Sequence, residues 1–178
     1  MRALADADRI RRLMRALGRA ADGEGACYLT GGATAVLLGW LASTIDVDVH
    51  FAPETDRILL SIQRLKEELE INVELVSPLD FIPVPAGWEG RSIFAATEGR
   101  LTFYHFDPYA QALAKVERGH AQDRGDVKAM VALGLVVPER ALAFFEDIEP
   151  DLFRFPAIDA VTFRRSAEAA FRVPGKLR

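Results

Sequence analysis

Two carboxylates carried on one strand are the residues of this chain best placed to do chemistry. In TIDVDVHF, residues 44–51, the two-residue period of a strand puts Asp46, Asp48 and His50 on one face. Ile45, Val47, Val49 and Phe51 fall on the other. Carboxylates two strand positions apart have Cα atoms roughly 6.6 Å apart. Brought to 4 Å in a medium of intermediate dielectric, their charges repel by about 4 kcal/mol. A buried pair therefore needs a cation between its oxygens or a retained proton, and a magnesium site is the economical reading. Upstream, Gly31-Gly32 sits between an apolar strand and a helix of small and apolar residues. Glycines let a backbone approach a ligand closely, and the following helix N-terminus adds partial positive charge. That suits nucleotide phosphates, although GGATAVLLG has neither the Walker nor the GxGxxG spacing. Alone, the glycines read as a tight turn and the aspartates as a surface strand; joined through one helix, they become specific.

The elements that must hold these residues follow from periodicity. Residues 6–21 place Ile10, Leu13, Met14 and Leu17 at helical spacing. Pro53 is expected to open a helix through about Glu70, with Ile58, Leu59, Ile62, Leu65 and Leu69 as its stripe. Asn72–Val76 reads as a buried strand and 79–90 as a loop. Ser92–Thr97 and Leu101–Phe106 read as strands joined at Glu98-Gly99-Arg100. Asp107-Pro108 then caps a helix from about Tyr109 to Arg118, ended by Gly119. Further helices are expected over 123–133, from Pro138 to about Glu146, and over 157–172. The expected organisation is an α/β half over 1–106 and a helical subdomain over 107–178.

The 178 residues include 22 Lys or Arg against 26 Asp or Glu, a net charge of −4, which excludes bulk attraction of the whole surface to nucleic acid. Basic residues still gather at the termini: Arg2, Arg9, Arg11, Arg12, Arg15 and Arg19 at one, Arg154, Arg164, Arg165, Arg172, Lys176 and Arg178 at the other. Cys27 is the single cysteine, which excludes an internal disulfide and a cysteine-rich zinc site. Residues 25–45 carry no charge, but their glycines, threonines and serine make strand-turn-helix the better reading than a membrane span. A cytoplasmic protein without membrane contact is expected.

Gly31-Gly32 followed by Asp46-Val47-Asp48-Val49 resembles the signature of the polymerase-beta-type nucleotidyltransferase superfamily. LTGGATAVLLG, AKVERGHAQDRGDV and EPDLFRFPAIDAVTFRR are similar to segments of compact bacterial nucleotidyltransferase-like proteins and AbiEii-type toxin relatives. The resemblance implies a short mixed sheet with flanking helices followed by a small helical subdomain. It implies two Mg²⁺ ions held by Asp46 and Asp48, with Glu74 as the third carboxylate. It implies an NTP whose phosphates meet Gly31, Gly32, Thr34 and Lys115. The acceptor would be a hydroxyl of a tRNA, a protein or a small molecule, and a cognate antitoxin is an implied partner. One departure stands out: relatives often carry Arg or Lys four residues before the first aspartate, where this chain has Ala42. The alternative is a non-catalytic nucleotide-binding or antitoxin-like interaction module of the same fold. Asp123 reads as a helix-start residue.

Overall fold

The computed structural model describes residues 3–172; Arg2, Lys176 and Arg178 of the basic termini lie outside the described residues. The chain divides into two compact units, one running up to Ser77 and resuming over Ser92–Phe106, the other comprising Pro78–Arg91 and the residues from Asp107 onward.

The first unit is a five-stranded mixed sheet with helices on its apolar face. In chain order it contains α1 (Ala7–Ala20), β1 (Gly25–Thr30), α2 (Gly31–Leu38), β2 (Asp46–Ala52), α3 (Asp56–Glu68), β3 (Asn72–Glu74), and later β4 (Ile93–Glu98) and β5 (Leu101–His105). The strands lie in the order β3-β2-β1-β5-β4. β1 is antiparallel to β2 and parallel to β5, and β2 is parallel to β3. Alternation explains the orientation. Val47, Val49 and Phe51 are at most 2% exposed, while Asp46, Asp48 and His50 are half-buried. Slipping β2 by one residue would bury both aspartates and expose that apolar row. The α1 stripe behaves as expected: Ile10, Leu13, Met14 and Leu17 are at most 3% exposed. Each contributes about 1.5–3 kcal/mol relative to an exposed side chain.

Several boundaries differ from expectation. Ile45 is 69% exposed and precedes β2, because Ala5 and Thr44 exchange backbone hydrogen bonds of 2.8 and 2.9 Å there. Pro53 does not open α3; it follows the cis Ala52–Pro53 peptide. The cap is Thr55, whose hydroxyl accepts from Ile58 N–H at 3.3 Å. The strand expected over 72–76 ends at Glu74 on the sheet edge, leaving Leu75 44% exposed.

The second unit is helical: α4 (Trp88–Arg91), α5 (Pro108–Arg118), α6 (Ala121–Ala132), α7 (Pro138–Ile148) and α8 (Ala160–Ala170), with 3-10 turns at Pro78–Asp80 and Glu149–Arg154. Leu113, Met130, Phe145, Phe163 and Phe171 fill its interior. As expected, Asp107 caps α5, accepting from Tyr109 N–H at 3.0 Å. Burial pushes the Asp107 carboxyl up, against the pull of its bonds to Arg91. That guanidinium also donates to Ala86 and Pro85 carbonyls at 2.7 and 3.0 Å and lies over Phe144, tying the 78–91 segment to α5 and α7. α8 starts later than expected, because Asp159 accepts from Thr162 N–H at 2.7 Å and sets the cap. Val161 consequently faces solvent at 69% exposure.

Candidate nucleotidyl-transfer site

The site is built on the sheet face opposite the apolar helices. Strand pairing lines up its side chains: Asp46 stands beside Asn72, and Asp48 lies between Glu74 on β3 and Thr30 on β1. Partners in register project to the same face, so all three predicted carboxylates share it.

The diglycine bend adjoins this group. A Cβ built on Gly31 would stand 2.7 Å from Asp48 Oδ2, and Gly31 has φ of +59°. Only a residue without a side chain fits both conditions. On Gly32, a Cβ would lie 2.0 Å from Thr44 Oγ1. That hydroxyl donates to the Asp46 carbonyl at 3.0 Å. Each glycine thus admits a piece of the segment that carries the aspartates. The N-terminus of α2 consequently abuts Asp48, where its dipole favours negative charge.

Asn72 is the site residue that sequence reasoning missed. Its Nδ2 donates to Asp46 Oδ1 at 2.5 Å and to Glu74 Oε1 at 3.3 Å. Its only signal was its place at the start of NVELV, opposite the first aspartate. Glu74 itself is exposed, on an edge strand. Among the described residues, no group of three or more His, Cys, Asp or Glu side chains could hold a metal ion. Asp46 and Asp48 supply only hard oxygen donors. Magnesium is held by one or two carboxylates and completed by substrate phosphates, so this pair suits it.

Two other predicted contacts have close partners of their own. Thr34 is 2% exposed; its hydroxyl donates to the Leu29 carbonyl at 3.2 Å and meets His105 Nδ1 at 3.2 Å. This places it in the interior on the helix side of the sheet. Burial lowers His105 to about 4, keeping the ring neutral. Lys115, in the helical unit, is 8% exposed, with Nζ 2.7 Å from Asp126 Oδ2 and 3.6 Å from Asp123 Oδ1. Burial works to raise Asp123, but hydrogen bonds and charge from Arg118, with Lys115, hold it below the usual carboxylate range. Asp123 also accepts from His120 N–H at 3.2 Å, at the start of α6. Lys115, Asp123, Arg124, Lys128 and Ser166 are among the residues lining a cavity of about 340 Å³. His50 packs against Tyr28 and Phe106.

A family model described as "Nucleotidyltransferase of unknown function (DUF6036)" matches residues 6–138, a span that includes the whole sheet and every candidate residue above. No curated protein matches the chain, and no solved structure does.

Proposed function

Because the chain belongs to this family of nucleotidyltransferases of unknown function, we propose that it moves a nucleotidyl group from a nucleoside triphosphate to a hydroxyl acceptor, with Asp46 and Asp48 at the reacting phosphate. The observation that carries the reading is the contact between the diglycine bend and Asp48. It brings a helix N-terminus and two carboxylates to one place.

In this reading the acceptor oxygen attacks the α-phosphorus, the bond to the bridging oxygen of the β-phosphate breaks, and pyrophosphate departs. The acceptor proton is lost to a carboxylate or to water. Magnesium bound at Asp46 and Asp48 would neutralise phosphate charge and lower the pKa of the acceptor hydroxyl. Asn72 orients Asp46 through its short amide bond, and a ligand held this way keeps its geometry when substrate arrives. The first turn of α2 presents its amides beside Asp48, suited to a triphosphate oxygen. Glu74, tethered by the same Asn72, is the outermost acidic group and a candidate for a second ion.

Incubation with labelled nucleoside triphosphates, magnesium and total cellular RNA tests this directly. Label should move to an acceptor and pyrophosphate should appear; undiminished transfer by Asp46→Ala would sink the assignment. Ala42 in place of a basic residue and the Asn72 bridge between Asp46 and Glu74 favour a second reading, a nucleotide binder without turnover. Calorimetry with ATP and CTP would then show heat in the absence of pyrophosphate. A toxin acting on tRNA or protein, silenced by a cognate antitoxin, is the cellular setting in which such an activity fits.

A further inference from the structure

Besides the cavity that Lys115 lines, the helical unit holds a hollow of about 470 Å³, and none of its lining residues belongs to the candidate nucleotidyl-transfer site. Small-molecule sites span roughly 300–1,000 Å³. The segment between β3 and β4 supplies Ile82, Pro83, Pro85 and Trp88 to the wall. Ile148 of α7 and Phe155 add to its apolar area. This wall is pre-formed. Arg91, paired with the buried Asp107, donates to the Pro85 and Ala86 carbonyls at 3.0 and 2.7 Å, and the proline rings fix φ. It is also poor in donors. Pro83 and Pro85 carry no N–H, and the Ile82 N–H is spent on the Pro78 carbonyl at 3.1 Å. The charged lining is acidic. Asp147, in the last turn of α7, and Asp151, in the turn that follows, are both exposed and both line the hollow. Among the described residues neither carboxylate has a hydrogen-bond or ion-pair partner. The end of a helix already carries partial negative charge, and the last turn of α7 has no basic residue to offset it. Carboxylates at this spacing also repel each other. Arg154 is the one cation of the lining.

We infer that this hollow is a binding site for a small organic cation, an amine with an apolar body. Its ammonium head sits at Asp147 and Asp151, and its body lies against Trp88 and the proline wall. Charge and wall chemistry select this class together. An ammonium carries three donors and no acceptor, so it brings the groups that the wall lacks and forms charge-assisted bonds with the carboxylates. An indole face beside it attracts the same charge. An anion would instead meet two carboxylates and the negative end of α7, with Arg154 alone in its favour. A neutral molecule would leave both carboxylates uncompensated. Local electrostatics that disfavour the free protein become favourable once a cation is seated, which is where functional sites break the ordinary rules of helix design. The inference is independent of the nucleotidyl-transfer reading and adds a ligand to the helical unit.

The test is an NMR titration of the full chain, without triphosphate or magnesium, that follows the Trp88 indole N–H signal, assigned by its loss in Trp88→Phe. Three ligands share one phenyl body: phenethylamine is the cation, phenylpropionate the anion and phenethyl alcohol the neutral form. Phenethylamine should shift the Trp88 signal at the lowest concentration, and its affinity should fall as sodium chloride is added, because exposed carboxylates are screened. Asp147→Asn and Asp151→Asn should each weaken it roughly tenfold, while Arg154→Gln should tighten it. Both aspartate variants should melt at or above the wild-type temperature, since the side chains are exposed and a repulsion is relieved. Equal affinity for the three ligands, no response of Trp88 to the amine, or unchanged affinity in both aspartate variants overturns the inference. Sedimentation showing a dimer that Asp147→Lys dissolves would give the hollow to a second copy of the chain and overturn it as well.

Discussion

Asp48 leans over Gly31. Its Oδ2 occupies the space that a methyl group on Gly31 would need, 2.7 Å from the ideal Cβ position. The two motifs that the sequence separates by a whole helix are thus one packed unit, and the carboxylate is positioned by an absent side chain.

Gly31→Ala should therefore act twice. The left-handed backbone at φ +59° costs an L-residue about 1–2 kcal/mol. The new methyl must also displace the Asp48 carboxylate. In a protein of this size each kcal/mol lowers the melting temperature by roughly 2–4 °C. Transfer should fall far more than this loss explains, whereas Gly23→Ala, with nothing near its Cβ position, should change neither. Equal activities in the two variants would detach the bend from the chemistry.

Asn72→Ala frees Asp46 Oδ1 and Glu74 Oε1 together. Loss of a group that orients a metal-binding carboxylate typically costs 10- to 100-fold in metal affinity or activity. Titrating magnesium against pyrophosphate release should show the half-saturating concentration rising with little change in melting temperature. An unchanged magnesium dependence would make the amide merely structural.

His105 gives the fold an acid-sensitive element. Burial lowers the ring to about 4, against about 6.5 in an unfolded chain. The unfolded state therefore takes up the proton first. Stability is fully present above pH 6.5 and declines as pH falls towards 4, by about 3 kcal/mol in all. Urea midpoints measured across that window should fall for wild type and fall less for His105→Gln. Parallel curves would show that the histidine is not the responsible group.

Lys115→Met should unfold the helical unit more readily. It leaves Asp126 and Asp123 buried with less compensation, and breaking such a pair typically costs 3–5 kcal/mol. Adding Asp126→Leu should recover much of the loss, since an apolar pair replaces an ionic one. If the single variant melts like wild type yet loses triphosphate affinity, Lys115 serves the ligand rather than the fold.

Much of this was legible in the residues. Alternation in DVDVHF oriented β2 because Val47, Val49 and Phe51 have one way to leave water. The stripe of α1 and the Asp107-Pro108 start of α5 were equally readable, being local matters of period and capping. Asn72 was not, since nothing near it in the chain reveals that it lies opposite Asp46. The surroundings of Lys115 were hidden for the same reason: its carboxylate partners, Asp123 and Asp126, stand on the next helix. Thr34 looked like a phosphate contact until His105, far along the chain, closed over it.

The amino-acid sequence by itself determined the two chemical motifs, the face each residue takes on its strand or helix, and the mixed α/β class. These depend on periodicity and on interactions between near neighbours. Tertiary structure alone decided that the diglycine bend receives Asp48 and that Asn72 holds Asp46 and Glu74. Such relations come from strand order and register, which are settled when distant segments bury their apolar faces together.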